Sequence, residues 1–402
     1  MPSLRVLDIV NTDHAALNFL VDRVGWINRE SEFRNDVVCS VGPHLEQLRF
    51  PDAEVTAMPI PRGMDPVGIA ALFARILRHL RGRDYTIVHT HNSITGAVGR
   101  VAARLAGVPV VIHTTHGFHF HEGMGALRRR PFVAAERWLA RRCDLLLCQS
   151  REEIEVARAI GLRPRHGIHY VGNGINLERF APRSGPPANP RLVLLCVGRI
   201  EPVKNHPMLF EALATLRRTH DVVLRLVGDG PLEGQYRDDL ARAGLADAVE
   251  FLGYRYDVAE LTAGADVVVL TSVKEGIPRA LMQAAAVGVP AVATDVKGSR
   301  EVVVDGVTGY LVPLGDAARL AGRLDALLAA PALRAQMGLR AAAHAREHFD
   351  ERRVTRRLVQ IYRRALQVKG LATVRGARGA EADAVEPPLA MEPPLVAQRG
   401  RR

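Results

Sequence analysis

The chain contains few aromatic residues and few cysteines, and each scarcity excludes a class of protein. Phe, Trp and Tyr make up 5% of the 402 residues, too few for the stacking surfaces that bind single-stranded nucleic acid. The four cysteines are scattered and form no Cys-x-x-Cys pair, so neither a zinc site nor a disulfide framework is predicted. Reduced thiols of this kind are typical of cytosolic proteins.

Long hydrophobic runs are also missing. None approaches the ~20 residues that cross a bilayer, and the first residues lead into a short strand without the apolar core of a signal peptide. We therefore expect a cytoplasmic protein. Its hydrophobic content of 48% and charged content of 24% are ordinary for a soluble protein, and its length is sufficient for two domains with full cores.

Acidic residues are in deficit, with 43 against 54 Lys and Arg and a formal charge of +11. Such a balance favours anionic partners. A dense basic segment lies at 127–142, which includes Arg128, Arg129 and Arg130. It is either a binding surface for an anionic membrane or a pyrophosphate-bearing ligand, or an ordinary solvated helix. Nucleic acid is not expected, because no helix-turn-helix or aromatic platform accompanies the charge.

Alternating strand and helix patterns predict an α/β fold with doubly wound parallel sheets. The pattern runs through residues 1–180, stops at a Pro- and Gly-rich linker at 181–190, and restarts over 191–349. A helix at 350–366 is predicted to return to the first domain. Residues 368–402 lack a periodic core and are predicted to be a disordered tail.

The most informative stretch surrounds Glu275. Residues 265–270 form a β-branched apolar run typical of a buried parallel strand, and a helix is predicted from Pro278. Glu275, Gly276 and Ile277 then lie in a loop at the carboxyl end of a strand, where open α/β sheets bind ligands. A carboxylate beside free helix amides suits a polyhydroxylated, phosphate-bearing ligand. The alternative is an acidic residue in an ordinary surface loop.

Two cations follow another predicted strand of the second half. Arg199 lies in a Gly-Arg turn, and Lys204 stands at the start of the next helix. A guanidinium fork and an ammonium point charge together match a diphosphate.

Three histidines lie within six residues, at His116, His119 and His121. A metal site is not expected there, because strand alternation divides their side chains between two faces. For His116 alone, a ring bonded to nearby backbone is the structural alternative to a functional role.

Together these motifs resemble the family 4 retaining glycosyltransferases, which have two Rossmann-like domains facing across a cleft, the GT-B fold. The shared motifs are Glu275-Gly276-Ile277-Pro278, Gly288-Val289-Pro290, Gly198-Arg199 and Lys204-Asn205. The resemblance covers residues 1–366. The segment beginning at His116 is similar to the subgroup that builds bacterial surface polysaccharides. One position departs from the family, since Gln283 stands where a second Glu is usual.

The resemblance implies a hexosyltransferase that moves a sugar, with retained configuration, from a UDP- or GDP-sugar to a hydroxyl. The acceptor is a saccharide or a lipid-linked molecule, the setting is cell-surface polysaccharide or glycolipid synthesis, and no metal or other cofactor is implied. The enzyme is expected at the inner face of the membrane as a peripheral protein. The implied catalytic residues are Glu275 and His116. Donor-binding roles fall on Arg199, Lys204, Arg255, Gly276, Ile277 and Gln283, and acceptor-side roles on Asn11 and Asn173.

Two other functions compete with transfer. Because Gln283 retains an acceptor oxygen but loses a charge, the chain is either a working enzyme or an inactive nucleotide-sugar-binding relative. A nucleotide-sugar epimerase of the same architecture is the third possibility, and it needs no acceptor.

Overall fold

The computed structural model describes residues 4–371, except 51, 62, 64, 119, 121–123 and 188. The described chain folds into two Rossmann-like α/β domains, each built on a parallel sheet, as predicted. The limits predicted for the two domains stay predictions. Most of the predicted tail lies outside the described residues, but its predicted start is wrong, because the last helix continues to Val368.

The first domain has a seven-stranded sheet in the order β3-β2-β1-β4-β5-β6-β7. Its strands are β1 (Leu4–Ile9), β2 (Phe33–Ser40), β3 (Val55–Met58), β4 (Ile87–His91), β5 (Val110–Thr114), β6 (Leu145–Cys148) and β7 (Ile168–Tyr170). Its helices are α1 (Asp13–Phe19), α2 (Val21–Glu30), α3 (Pro66–Arg81), α4 (Ser93–Leu105), α5 (Ala126–Ala140) and α6 (Arg151–Ala159). The strand order reverses beside β1, and open sheets bind ligands at such a switch point.

The second domain has a six-stranded sheet in the order β10-β9-β8-β11-β12-β13. Its strands are β8 (Leu192–Val197), β9 (Val222–Val227), β10 (Val249–Phe251), β11 (Val267–Leu270), β12 (Ala291–Thr294) and β13 (Gly309–Val312). The helices that follow are α7 (His206–Leu216), α8 (Glu233–Arg242), α9 (Val258–Ala263), α10 (Arg279–Val287), α11 (Ser299–Val302), α12 (Ala317–Ala329), α13 (Pro331–His348) and α14 (Glu351–Val368). The switch point lies beside β8, so both sheets present ligand-binding edges.

Helix α14 packs on the first sheet although it follows the second domain in sequence. Leu358 and Tyr362 lie in a buried cluster with residues of β1, β4, β5 and β6. At the start of the helix, Arg23 Nε donates to Glu351 Oε1 at 2.8 Å, with both side chains buried. Removing one partner of a buried ion pair leaves an uncompensated charge, which is strongly destabilising. The pair therefore holds α14 against α2.

Three local predictions from the sequence are wrong: that Asp13 caps α1, that a strand covers 58–60, and that the helix after the basic run begins at Phe132. Thr12, and not Asp13, caps α1 by accepting from the Ala15 amide at 2.9 Å, which leaves Asp13 to accept from the His44 amide. Strand β3 ends at Met58, earlier than the predicted strand at 58–60. Helix α5 begins before the basic run and contains Pro131, which removes only one backbone donor near the first turns.

No helix among the described residues is long and apolar enough to span a bilayer. The four cysteines are buried and unpaired.

Candidate active site

The loops after β5 and β11 meet where the two sheets face each other. A Cβ placed on Gly276 would lie 2.9 Å from the carbonyl oxygen of His116, closer than a side chain tolerates. A Cβ on Gly298 would overlap the carbonyl oxygen of Gly276. Glycine is therefore required at both positions, and the structure brings Glu275 and His116, predicted from separate motifs, into adjoining loops.

Glu275 is held by the second domain. Its Oε1 accepts from Lys204 Nζ at 2.6 Å and from Ser272 Oγ at 2.5 Å. The side chains of Glu275 and Lys204 are only 12% and 17% exposed, so solvent screens the pair weakly. The two residues predicted to hold a sugar and a diphosphate thus form one polar unit.

Lys204 is placed by its own backbone. It ends a short 3-10 turn, Pro202–Lys204, and its carbonyl accepts from Thr271 Oγ1 at 3.0 Å. Gly198 makes room for its stem, since a Cβ there would lie 3.1 Å from Lys204 Cε. The loops after β8 and β11 are joined again where the Val273 amide donates to the Val203 carbonyl at 2.8 Å.

The two predicted arginines are more exposed than Lys204. The Arg199 side chain is 61% exposed and lies 3.6 Å from Glu201. The Arg255 side chain is 45% exposed and donates to both carboxylate oxygens of Asp257. The residue beside it, Tyr254, faces the first domain, with its ring 4.7 Å from that of His44. Sequence reasoning missed Tyr254, although an aromatic residue directly after Gly253 was a visible signal.

Ile277 lies just before α10, and Gln283 lies within this helix. Ile277 is buried in the second core, beside Leu281. Gln283 is the fifth residue of α10 and is partly exposed. The helix begins after Pro278, which occupies the N-cap in an extended conformation, so the first-turn amides of α10 follow the Glu275 loop directly.

The two predicted acceptor-side residues lie in different surroundings. The Asn11 amide donates to Asn92 Oδ1 at 3.3 Å, and Asn11 and Thr12 line a cavity of about 390 Å³ at the carboxyl edge of the first sheet. Asp65 and Arg75 lie across the same cavity. Asn173, in contrast, is buried.

The Asn173 side chain supports a turn. Its Oδ1 accepts from the Gly174 amide at 3.0 Å, and the Gly174 carbonyl accepts from Arg279 of α10 at 2.8 Å. The residue therefore stabilises a contact between the two domains.

The ring of His116 bonds a side chain and not backbone. Its Nε2 lies 3.0 Å from His91 Nδ1, and the Phe19 ring lies 5.1 Å away. Burial, together with the positive charges of Arg23 and Arg279, holds the pKa of His116 well below its usual value. The imidazole is therefore neutral at neutral pH.

A set of possible metal ligands lies behind His116, not in the run of histidines that follows it. His119 and His121 are outside the described residues. Asp8, His89 and His91 offer ligand atoms within 4.8 Å of one another, all buried. These atoms already bond one another or Tyr362, Thr114 and His116. The set fits a satisfied hydrogen-bond network better than a cation site.

Sequence reasoning missed this set because its members come from two strands. The available signal was His89-x-His91, a spacing that puts both side chains on one face of a strand.

The site lies where two Rossmann-like domains face each other, and it contains a paired lysine and glutamate at the carboxyl edge of the second sheet. Models of known protein families match both domains. Residues 28–174 match the "Glycosyl transferase 4-like domain" and residues 178–344 match "Glycosyl transferases group 1".

Curated relatives match along most of their length. A UDP-Gal:α-D-GlcNAc-diphosphoundecaprenol α-1,3-galactosyltransferase of Escherichia coli is 32% identical over 71% of this chain and 77% of its own. A D-inositol 3-phosphate glycosyltransferase of Saccharomonospora viridis is 31% identical, over 77% of both chains. The chain belongs to the family 4 glycosyltransferases.

Solved structures support the fold. Sucrose-phosphate synthase from Thermosynechococcus elongatus superposes with a TM-score of 0.78 at 21% identity, covering 90% of this chain and 99% of its own. Anabaena HepE, in complex with UDP and glucose, gives a TM-score of 0.74 at 21% identity, covering 90% and 100%. The fold is GT-B.

The backbone of the His116 loop is fixed by Glu153 of α6. The Glu153 carboxylate accepts from the Gly117 amide at 2.6 Å and from Thr115 Oγ1 at 3.1 Å, one residue on each side of His116. The sequence predicts Ser150 as the cap of α6, because Glu153 follows it at capping-box spacing. The structure confirms this cap, since Ser150 Oγ accepts from the Glu153 amide at 3.0 Å.

Replacement of Glu153 by Gln should change how stability depends on pH. Burial raises the pKa of Glu153 from 4.5 to about 7, so the native state holds this proton more tightly than the unfolded chain. Its contribution is complete below pH 4.5 and is lost as pH rises through 7. The free energy of unfolding of the wild type, relative to Glu153→Gln, should fall by about 2 kcal/mol between pH 5 and 8. Denaturant titrations measure it, and a constant difference would show that Glu153 does not titrate in this range.

Proposed function

We propose that the chain is a retaining hexosyltransferase that uses a UDP- or GDP-sugar donor. The observation that carries the proposal is the Lys204–Glu275 pair, which joins a cation suited to a leaving diphosphate with a carboxylate suited to sugar hydroxyls. Transfer needs both groups at one point, because negative charge develops on the leaving group while positive charge develops on the sugar ring. The galactosyltransferase relative, whose name includes UDP-Gal, and HepE, which was solved with UDP and glucose, support this donor class.

Each residue of the pair has a separate task. Lys204, aided by the exposed fork of Arg199, neutralises the departing diphosphate. Glu275 then holds hydroxyls of the donor sugar, with the amides of Gly276 and Ile277 beside it. This chemistry relies on positioning and electrostatics, and it requires neither a metal nor an organic cofactor. Activity is expected to survive chelation of divalent ions.

The acceptor enters from the first domain. The cavity beside Asn11 opens at the same edge as His116, and its lining combines apolar residues such as Val41 and Ile60 with polar groups that include Asp65 and Arg75. An arginine beside a cavity of about 390 Å³ suits a hydroxylated ring that carries a phosphate. The named relatives act on a diphospho-lipid-linked sugar and on an inositol phosphate, which supports a saccharide or lipid-linked acceptor in polysaccharide or glycolipid synthesis.

One assay distinguishes sugar transfer from the two competing functions, nucleotide-sugar binding without turnover and epimerisation. Purified protein is incubated with a panel of UDP- and GDP-sugars, with and without glycosyl and lipid-linked acceptors. Transfer to an acceptor with retained anomeric configuration supports the proposal. Binding without turnover indicates an inactive relative, and conversion of the donor without any acceptor indicates an epimerase.

Glu275→Gln and Gln283→Ala should fail in different ways. Glu275→Gln is expected to keep nucleoside-diphosphate affinity within about threefold and to lower turnover by roughly 100-fold, since a neutral amide cannot strengthen its bond as the ring becomes positive. Gln283→Ala should weaken nucleotide affinity, with little further loss in turnover at saturation.

Calorimetric affinity and single-turnover rates separate the two effects. Gln283→Glu, which restores the residue usual in the family, serves as the matched control and should be at least as active as the wild type. Normal turnover by Glu275→Gln would assign Glu275 a structural role.

We further propose that α5 rests on an anionic membrane surface at the cytoplasmic face. The helix leaves Leu127 and Trp138 exposed, and Arg128, Arg130 and Arg141 stand exposed around them. Apolar and cationic groups on one exposed segment are the combination that binds the interface of acidic bilayers.

The triple variant Arg128→Ala, Arg130→Ala, Arg141→Ala should lose co-sedimentation with anionic vesicles. Each basic residue near such a surface contributes about 1 kcal/mol, so a loss of affinity on the order of 100-fold is expected. Binding of the wild type should weaken with salt and be absent with neutral vesicles.

The control variant removes three exposed arginines from the second domain, Arg218, Arg242 and Arg319. Equal loss in both variants would mean that net charge, and not helix α5, drives binding.

A further inference from the structure

A continuous line of hydrogen bonds leads from the interior of the first sheet to His116. Asp8 lies on β1 and His91 ends β4, two strands that pair directly. His91 Nε2 is 3.1 Å from Asp8 Oδ1, and His91 Nδ1 is 3.0 Å from His116 Nε2. Asp8 and His91 are almost fully buried, so water does not compete for these bonds.

We propose that Asp8 and His91 are positioning residues that fix which ring nitrogen of His116 carries its proton. The proposal rests on the proposed function for its catalytic consequence, because it assigns His116 the task of accepting a hydrogen bond from the acceptor hydroxyl.

The direction of the protons follows from the carboxylate. Asn35 Nδ2 donates to the other oxygen of Asp8, Oδ2, at 2.6 Å, and an ionised carboxylate only accepts. His91 therefore donates through Nε2, and in the neutral ring Nδ1 carries no proton and can accept a hydrogen bond. That nitrogen accepts from His116 Nε2. A neutral His116 is then bare at Nδ1, for which the described residues supply no hydrogen bond.

The other tautomer of His91 would reverse the line. It would place an unprotonated Nε2 against the Asp8 carboxylate, which is unfavourable, and would donate from Nδ1 to His116 Nε2. His116 would carry its proton on Nδ1 and would no longer accept a bond from a hydroxyl there. The network thus selects between an acceptor and a donor at the substrate.

The consequence for catalysis is specific. A hydroxyl that attacks the donor sugar becomes a better nucleophile when its proton is directed to a fixed acceptor. Removal of the carboxylate that orients a histidine lowers turnover by presenting the wrong tautomer, although the geometry remains. Donor affinity depends on other groups, Lys204 and Arg199, and should be insensitive to the network.

The direct test is nitrogen NMR on protein labelled at the histidine rings, with His116 assigned by its loss in His116→Gln. The wild type should show His116 protonated at Nε2 and bare at Nδ1. In Asp8→Asn the amide accommodates either tautomer of His91, so both forms of His116 should appear. Turnover should fall on the order of 100-fold, with donor KM within about twofold.

Asp36→Asn is the matched control. Asp36 lies on the neighbouring strand β2 and is as buried as Asp8, at 3% against 2% exposed, but it bonds Arg5 and Tyr85. This variant carries a similar loss of a buried carboxylate and should leave the His116 spectrum unchanged.

Two substitutions of His91 test the proposal if Asp8→Asn does not fold. His91→Gln can donate to Asp8 and accept from His116, so it should keep the tautomer and most of the turnover. His91→Leu should lose both. A wild-type His116 protonated at Nδ1 would overturn the proposal, and so would identical spectra and rates for Asp8→Asn and Asp36→Asn. If the protein transfers no sugar, the spectra still decide the tautomer, so failure of the function and failure of the network are distinguishable.

Discussion

The arrangement of the site depends on a backbone contact between the two domains. Gly276 touches the carbonyl of His116 on one side, while Gly298 packs against the Gly276 carbonyl on the other. No side chain fits in either place. The contact puts the Lys204–Glu275 pair of the second domain beside the neutral imidazole of the first. Charged groups suited to the donor therefore lie next to a neutral imidazole suited to a hydroxyl.

Helix α14 connects this site to the remainder of the fold. It packs on the first sheet, and its Glu351 pairs with Arg23. The hydroxyl of its Tyr362 forms a hydrogen bond with His89 Nδ1 at 2.7 Å. Because Glu351 pairs with the buried Arg23 and Tyr362 bonds the buried His89, polar contacts of α14 reach the strand that ends at His91. Stability and the geometry of the site therefore share residues.

The fold could be predicted from sequence because its information is local. Apolar β-branched runs such as 265–270 mark buried strands, and turns such as Gly198-Arg199 mark where some of the strands end. Glu275 and Lys204 could be singled out for the same reason, since each lies in a recognisable turn, and their donor-binding roles stay predictions. Asp8 and His91 could not be assigned, because they lie 83 positions apart and only strand pairing brings them together. The cap of α1 was misassigned because Thr12 and Asp13 are both good caps.

The central claim is that Lys204 binds the diphosphate of the donor, and calorimetric titration of UDP and GDP tests it most directly. Lys204→Ala should lower the affinity for the preferred nucleotide by roughly ten- to a hundredfold, the value of a charge-assisted bond, and Glu275 left unpaired would add repulsion. Lys369→Ala, which removes a lysine that pairs with Asp144, should bind as the wild type does. Equal affinity in the wild type and in Lys204→Ala would contradict the account.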